Sequence, residues 1–144
     1  MERQILTLEE ANALVPTLTE LAGAQLRRRE QIEEMLTSLA LDTGQGRGDL
    51  TPRASDTGDL RERKRSILVL IDQYQRSWLR LDALGGVLKD PEQGLVDFYG
   101  RIDGKLVWLC WRFGETEIAH YHQLDEGFSK RKRIDMVARR MTLN

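Results

Sequence analysis

The two histidines of the chain, His120 and His122, stand two residues apart, the spacing that puts both imidazoles on one face of a β-strand. Alternating imidazoles can chelate a metal ion, with Asp125, Glu126 or Glu115 near enough in sequence to complete the ligand set. The set weighed for a metal is thus His120, His122 and Asp125. Against it stands the commoner role of an inward histidine, a ring hydrogen-bonded to a carbonyl or carboxylate in a core, so no metal is assigned. The single cysteine, Cys110, would need a thiolate and a nearby base to act as a nucleophile. The strand register developed below puts it across from Asp97, whose charge raises a thiol pKa, and on the face opposite both histidines. A structural thiol is expected.

A third group, Asp97, Arg112 and Glu117, is expected to form a charged cluster with Arg112 directly across from Glu117. It is either an ion-pair network or a specificity element at a subunit or ligand interface, because partly buried pairs fix register more than they add stability. The run Gly44-Gln45-Gly46-Arg47-Gly48 follows a helical pattern and not a strand, so it lacks the context of a phosphate loop. No serine elbow or dinucleotide fingerprint occurs. No cofactor is expected, and binding or assembly ranks ahead of catalysis.

These residues must be positioned by two kinds of element. Thr7 and Glu10 have capping-box spacing, which starts a helix at Leu8. Two heptad rows follow, Leu8, Val15, Ala22 and Leu36 beside Ala11, Leu18, Ile32 and Leu39, and predict one helix over 8–41, kinked by Pro16 without ending. Residues 42–58 hold four glycines and a proline and read as a flexible connection. Leu60, Ile67, Tyr74 and Leu81, with Ile71 and Trp78, predict a second helix over 59–84 ending at Gly85-Gly86. Joined by one connection, the helices form an antiparallel, coiled-coil-like hairpin in which Gln25 falls near Tyr74.

The last third changes to a period of two. Asp103-Gly104 is a strong hairpin signal, since a type I′ turn wants positive φ at both central positions. Strands 95–102 and 105–112 should pair, with Asp97 opposite Cys110, and a four-residue loop should lead to a third strand over 117–123. One face then carries Val96, Phe98, Ile102, Val107, Leu109, Trp111, Ile118, His120 and His122 as core. The other mixes Leu95, Asp97, Tyr99, Arg101, Leu106, Trp108, Cys110, Arg112, Glu117, Ala119 and Tyr121. Aromatic and ionisable groups so combined suit a contact surface, unless the basic tail or a helix folds across it.

At 144 residues the chain is sized for a single domain, here the hairpin at 8–84, a three-stranded antiparallel meander within 87–128 and a basic tail at 129–144. The class is α+β. No apolar run is long enough to span a bilayer, the acidic start lacks a signal peptide's regions, and one cysteine suits a reducing compartment, so a cytoplasmic protein without membrane contact is expected. The tail carries six cations against Asp135, with Ile134, Val137 and Met141 at helical spacing, and reads as a short docked helix or an anionic contact. Nucleic acid is the weaker partner, because the rest of the chain is acidic and holds no binding motif for it.

The segments GLVDF (94–98), LCWR (109–112), GETEIA (114–119) and H-x-x-D-x-G-F-x-x-R (His122 to Arg131), with TLEEANALVP at 7–16, resemble a prokaryotic family of uncharacterised proteins, DUF2203. The resemblance implies a fold and no mechanism. His120 stands where that pattern has an aromatic, Lys130 where it has a glycine, and the chain continues beyond Arg131. Taken together, the expected function is an interaction or assembly module, homo-oligomeric or with another protein partner, using Asp97, Trp108, Arg112, Glu117, His122, Asp125 and Arg131. The alternative is a metal-dependent or small-ligand enzyme with its site around His122, Asp125 and Arg131.

Overall fold

The computed structural model describes residues 4–46 and 48–135. The chain enters α1 (Leu8–Ala13) through the anticipated capping box: the Glu10 amide donates to the Thr7 hydroxyl at 3.0 Å and the Thr7 amide donates to the Glu10 carboxylate at 2.9 Å. The helix expected over 8–41 is two helices, because α2 (Val15–Thr43) begins after a break at Leu14. Pro16 accounts for the break: it has no N–H to offer the Asn12 carbonyl, and its ring crowds that turn. The Asn12 side chain is put to use instead, accepting the Ile118 amide at 2.6 Å and tying the helical start to the approach of a distant strand.

The connection after α2 is less loose than its glycines suggest. Lys64, buried in α3 (Gly58–Trp78), donates to Asp56 at 2.9 Å and to the Thr51 carbonyl at 2.8 Å, while Arg53 pairs with Asp49. Asp56 also accepts the Arg53 amide, and that bond, followed by the Lys64 ammonium, holds its carboxyl below the usual carboxylate range. A depressed folded-state pKa contributes stability that is present above the ordinary carboxylate pKa and lost as pH falls through the folded value. Lys64→Met is therefore expected to lower Tm at neutral pH, with the gap to the wild type closing below about pH 4. Thermal melts across pH check this; a gap that stays constant into acid would count against it.

The second expected helix, 59–84, is also divided, into α3 and α4 (Arg80–Ala83) with a bend at Leu79. No breaker stands there. Tertiary packing overrides helical continuity: the bend sets Leu81, 1% exposed, against Gly86, where an added Cβ would lie 2.7 Å from Leu81 Cδ1. Gly85, with φ +84, supplies the left-handed exit. Gln25 donates to the Tyr74 carbonyl at 2.6 Å and Arg63 pairs with Asp42 at 2.9 Å, so α2 and α3 pack with opposite chain sense.

The sheet has five antiparallel strands in chain order, two more than the meander expected: β1 (Gly86–Asp90), β2 (Leu95–Ile102), β3 (Lys105–Arg112), β4 (His120–His122) and β5 (Lys132–Arg133). The β2–β3 hairpin has the anticipated bounds and register, with Asp103 and Gly104 at φ 54 and 76. β1 has too few alternating positions to show a period. β5 is built from two exposed cations paired through the backbone with β4, so where it is described the basic segment is a 3₁₀ turn at Phe128–Lys130, a short strand and a buried Ile134, not a docked α-helix or a free tail. Val137 and Met141 lie outside the described residues.

The β3–β4 register is displaced from expectation. Cys110 pairs with His120, Leu109 with Tyr121 and Trp108 with His122. A shift of one residue turns a strand over. The cause is the linker, which follows side-chain bonds and not ladder bonds: the Arg112 amide donates to Glu115 Oε1 at 2.7 Å and the Trp111 indole donates to the Glu115 carbonyl at 3.0 Å. Tyr121, not the histidines, therefore turns toward the core of Val96, Phe98, Val107, Leu109, Trp111 and Ile118, which packs on Leu8, Ala11 and Leu18. Among the described residues no helix is long and apolar enough to cross a membrane.

Candidate functional site

The face turned away from that core draws one residue from each of three adjacent strands: Asp97 from β2, Cys110 from β3 and His122 from β4. Their carboxylate oxygen, sulfur and ring nitrogen all lie within 4.8 Å of one another, and each residue is at most 2% exposed. His122 Nε2 is 2.8 Å from Asp97 Oδ2, and Nδ1 is 3.0 Å from the Gln123 carbonyl. Burial raises the Asp97 pKa above the usual carboxylate range, an effect that His122 and the Cys110 thiol partly offset. Burial, then the Asp97 charge, pushes the Cys110 thiol up to about 12, with Arg131 working the other way. Cys110 is thus held as a thiol, as its position across from Asp97 implies.

Three partly exposed groups form the rim. Arg131 binds Glu115 through both guanidinium nitrogens at 3.0 Å each, reaches the Cys110 sulfur, and stacks over Phe128 at 4.2 Å. His120 sits directly across from Cys110, its Nδ1 3.8 Å from Glu115 Oε2. On the far side, Trp108 is 6% exposed, stacked on Tyr99 at 4.1 Å and capped by Lys89 at 4.1 Å.

The expected site residues fare differently. Asp97 and His122 meet, and Arg131 joins them through Cys110. Trp108 lies on the same face but is enclosed within the chain. Arg112 is exposed, with its guanidinium 5.9 Å from Phe128, and Glu117 is exposed on the linker, outside the β3–β4 ladder in which it was expected across from Arg112. The carboxylate that binds back to the strand is Glu115, two residues earlier. Asp125 is exposed in a turn and outside the cluster, so the group with metal-ligand chemistry is Asp97, Cys110 and His122 instead of His120, His122 and Asp125. The one-residue slip puts Cys110 on the wrong side of the histidines, and Lys89 is missed because no strand is expected at 86–90. One signal could have found the set: Asp97, Cys110, Glu115, His122 and Arg131 all lie in the segments on which the family resemblance rests.

Fold and site together define a mixed α+β protein with a long helix, a bent helix and a five-stranded antiparallel sheet, carrying a buried carboxylate–thiol–imidazole cluster on the sheet's outer face. Residues 4–134 match the model of the family described as an uncharacterized conserved protein, DUF2203, and the chain belongs to that family. The match runs past Arg131, so the segment through Ile134 is part of the family's own extent. No curated protein and no solved structure matches the chain.

Proposed function

We propose that the chain is a small-ligand-binding module whose site is Asp97, Cys110 and His122 beneath the rim of Glu115, His120 and Arg131. The observation that carries this is the convergence of three chemically different ionisable side chains, one per strand, in a buried position where ionisable groups cost stability unless paired or ligated. Nucleophilic catalysis is the poorer reading, because His122 bonds to Asp97 and a carbonyl and Cys110 stays a thiol. A free, buried cysteine suits a reducing, cytoplasmic setting.

Self-association is a second reading, and it moves from the sheet to the helices. Trp108 is covered by Tyr99 and Lys89, whereas Leu41, Leu68, Val69 and Leu79 are 48–80% exposed. Native mass spectrometry of the chain purified without chelator tests both readings. A one-to-one non-protein mass on the wild type, lost in Asp97→Asn, is expected; an adduct-free wild type would remove the ligand site. The same spectra are expected to show a dimer, and a monomer at all concentrations would remove self-association.

A further inference from the structure

We propose that Asp97, Cys110 and His122 together hold one divalent metal ion of the thiol-accepting kind, zinc or a chemical relative, through a carboxylate oxygen, the sulfur and the imidazole Nε2. This rests on reading the cluster as a ligand site and names its ligand.

The hydrogen-bond pattern around His122 is the starting point. Nδ1 faces the Gln123 carbonyl, which can only accept, so Nδ1 carries a hydrogen. With that hydrogen in place, the neutral ring presents a lone pair at Nε2, and Nε2 faces Asp97 Oδ2, a second acceptor, at 2.8 Å. Two lone-pair atoms approach that closely only with a cation between them. In the protein alone that cation is a proton, and the thiol of Cys110 holds another. A divalent ion replaces both: the two protons leave to solvent, the ion bonds to sulfur, Nε2 and oxygen, and the charge of the buried site is unchanged. An exchange that adds no net charge avoids the main cost of placing a dication in a low-dielectric interior.

The ligand types and their support agree with this. One sulfur, one imidazole and one carboxylate oxygen form a donor set that zinc accepts, leaving a fourth position for water. The donors already lie within 4.8 Å of one another, and tetrahedral zinc holds such donors about 3.2–3.8 Å apart, so side-chain rotation suffices and no strand need move. The Gln123 carbonyl is the partner that fixes the tautomer and orientation of a metal-bound imidazole through its other nitrogen. Neighbouring cations do not preclude the ion: Arg131 is neutralised by both oxygens of Glu115, and Lys89 rests on the Trp108 ring.

The test is a titration of the untagged, chelator-stripped chain with Co²⁺, followed by competition with Zn²⁺. One ion per chain is expected, with thiolate-to-cobalt charge-transfer absorption in the near ultraviolet that Zn²⁺ abolishes. Cys110 is the only cysteine, so that band assigns the sulfur even if a Cys110→Ser variant does not fold. Asp97→Asn and His122→Gln, verified as folded by circular dichroism, are expected to weaken binding at least about tenfold, while Asp125→Asn, exposed and outside the cluster, changes it by less than about twofold. Absence of the band overturns the proposal, as does binding that survives His122→Gln and is lost with Asp125→Asn. If Co²⁺ fails to bind but an organic mass is retained and lost with Asp97→Asn, the metal is wrong and the ligand site stands. If neither is found, both fall.

Discussion

Trp111→Ala is expected to destabilise the protein by about 3–5 kcal/mol, a large part of the 5–15 kcal/mol that typically separates folded from unfolded domains. Trp111 is fully buried on the inner face of β3, opposite Val96, with Phe113 edge-on at 6.4 Å. Truncation removes the largest fully buried side chain and leaves a cavity that the rigid hairpin cannot close. Its indole also donates to the Glu115 carbonyl, so Trp111→Phe separates the two contributions: most of the volume stays, and the lost bond adds about 1 kcal/mol. Urea unfolding measures both, read as a shifted midpoint with an unchanged slope. A Trp111→Ala cost below about 1.5 kcal/mol would mean that β3 is not packed against α1 and α2 as described. Because the indole bond helps shape the linker to β4, the phenylalanine variant is also expected to loosen the site more than its stability loss alone suggests.

How much of this was legible in the sequence depends on whether a feature is specified locally. The capping box at Thr7 and the Asp103-Gly104 turn were, because each rests on residues within a few positions and on backbone angles that few residue types adopt. The turn alone set the whole β2–β3 register, and with it the meeting of Asp97 and Cys110. Helix continuity was less legible. Pro16 was visible, but whether it kinks or interrupts depends on partners such as Ile118, 106 positions along the chain from Asn12. The bend at Leu79 has no local signal, since it answers to Gly86 in the sheet.

The site was half legible for the same reason. A loop held by the Glu115 side chain and the Trp111 indole is one residue longer than a simple reversal, and with period-two geometry one residue decides which side the histidines occupy. A four-residue reversal would put His120 and His122 in the core and Cys110 apart from them, whereas the three share a face. Glu115, the residue that sets the linker, also pairs with Arg131, so one side chain determines both the register and the rim.

His122→Ala is expected to cost about 3–5 kcal/mol, because it leaves Asp97 in a position 2% exposed without the imidazole that lies 2.8 Å away. The loss has little to do with volume. His122 does most to favour the charge of Asp97, and the Cys110 thiol and the field of Lys89 act more weakly. A double-mutant cycle isolates this: Asp97→Asn in the His122→Ala background removes the stranded carboxylate, and the double variant is expected to be more stable than His122→Ala alone. Coupling of about 1–3 kcal/mol is expected from denaturant unfolding of the four proteins. Additive costs would show that the two side chains do not depend on each other. In that case the contact across β2 and β4 would be a coincidence of packing, and the buried cluster would lose the pairing on which any ligand exchange depends.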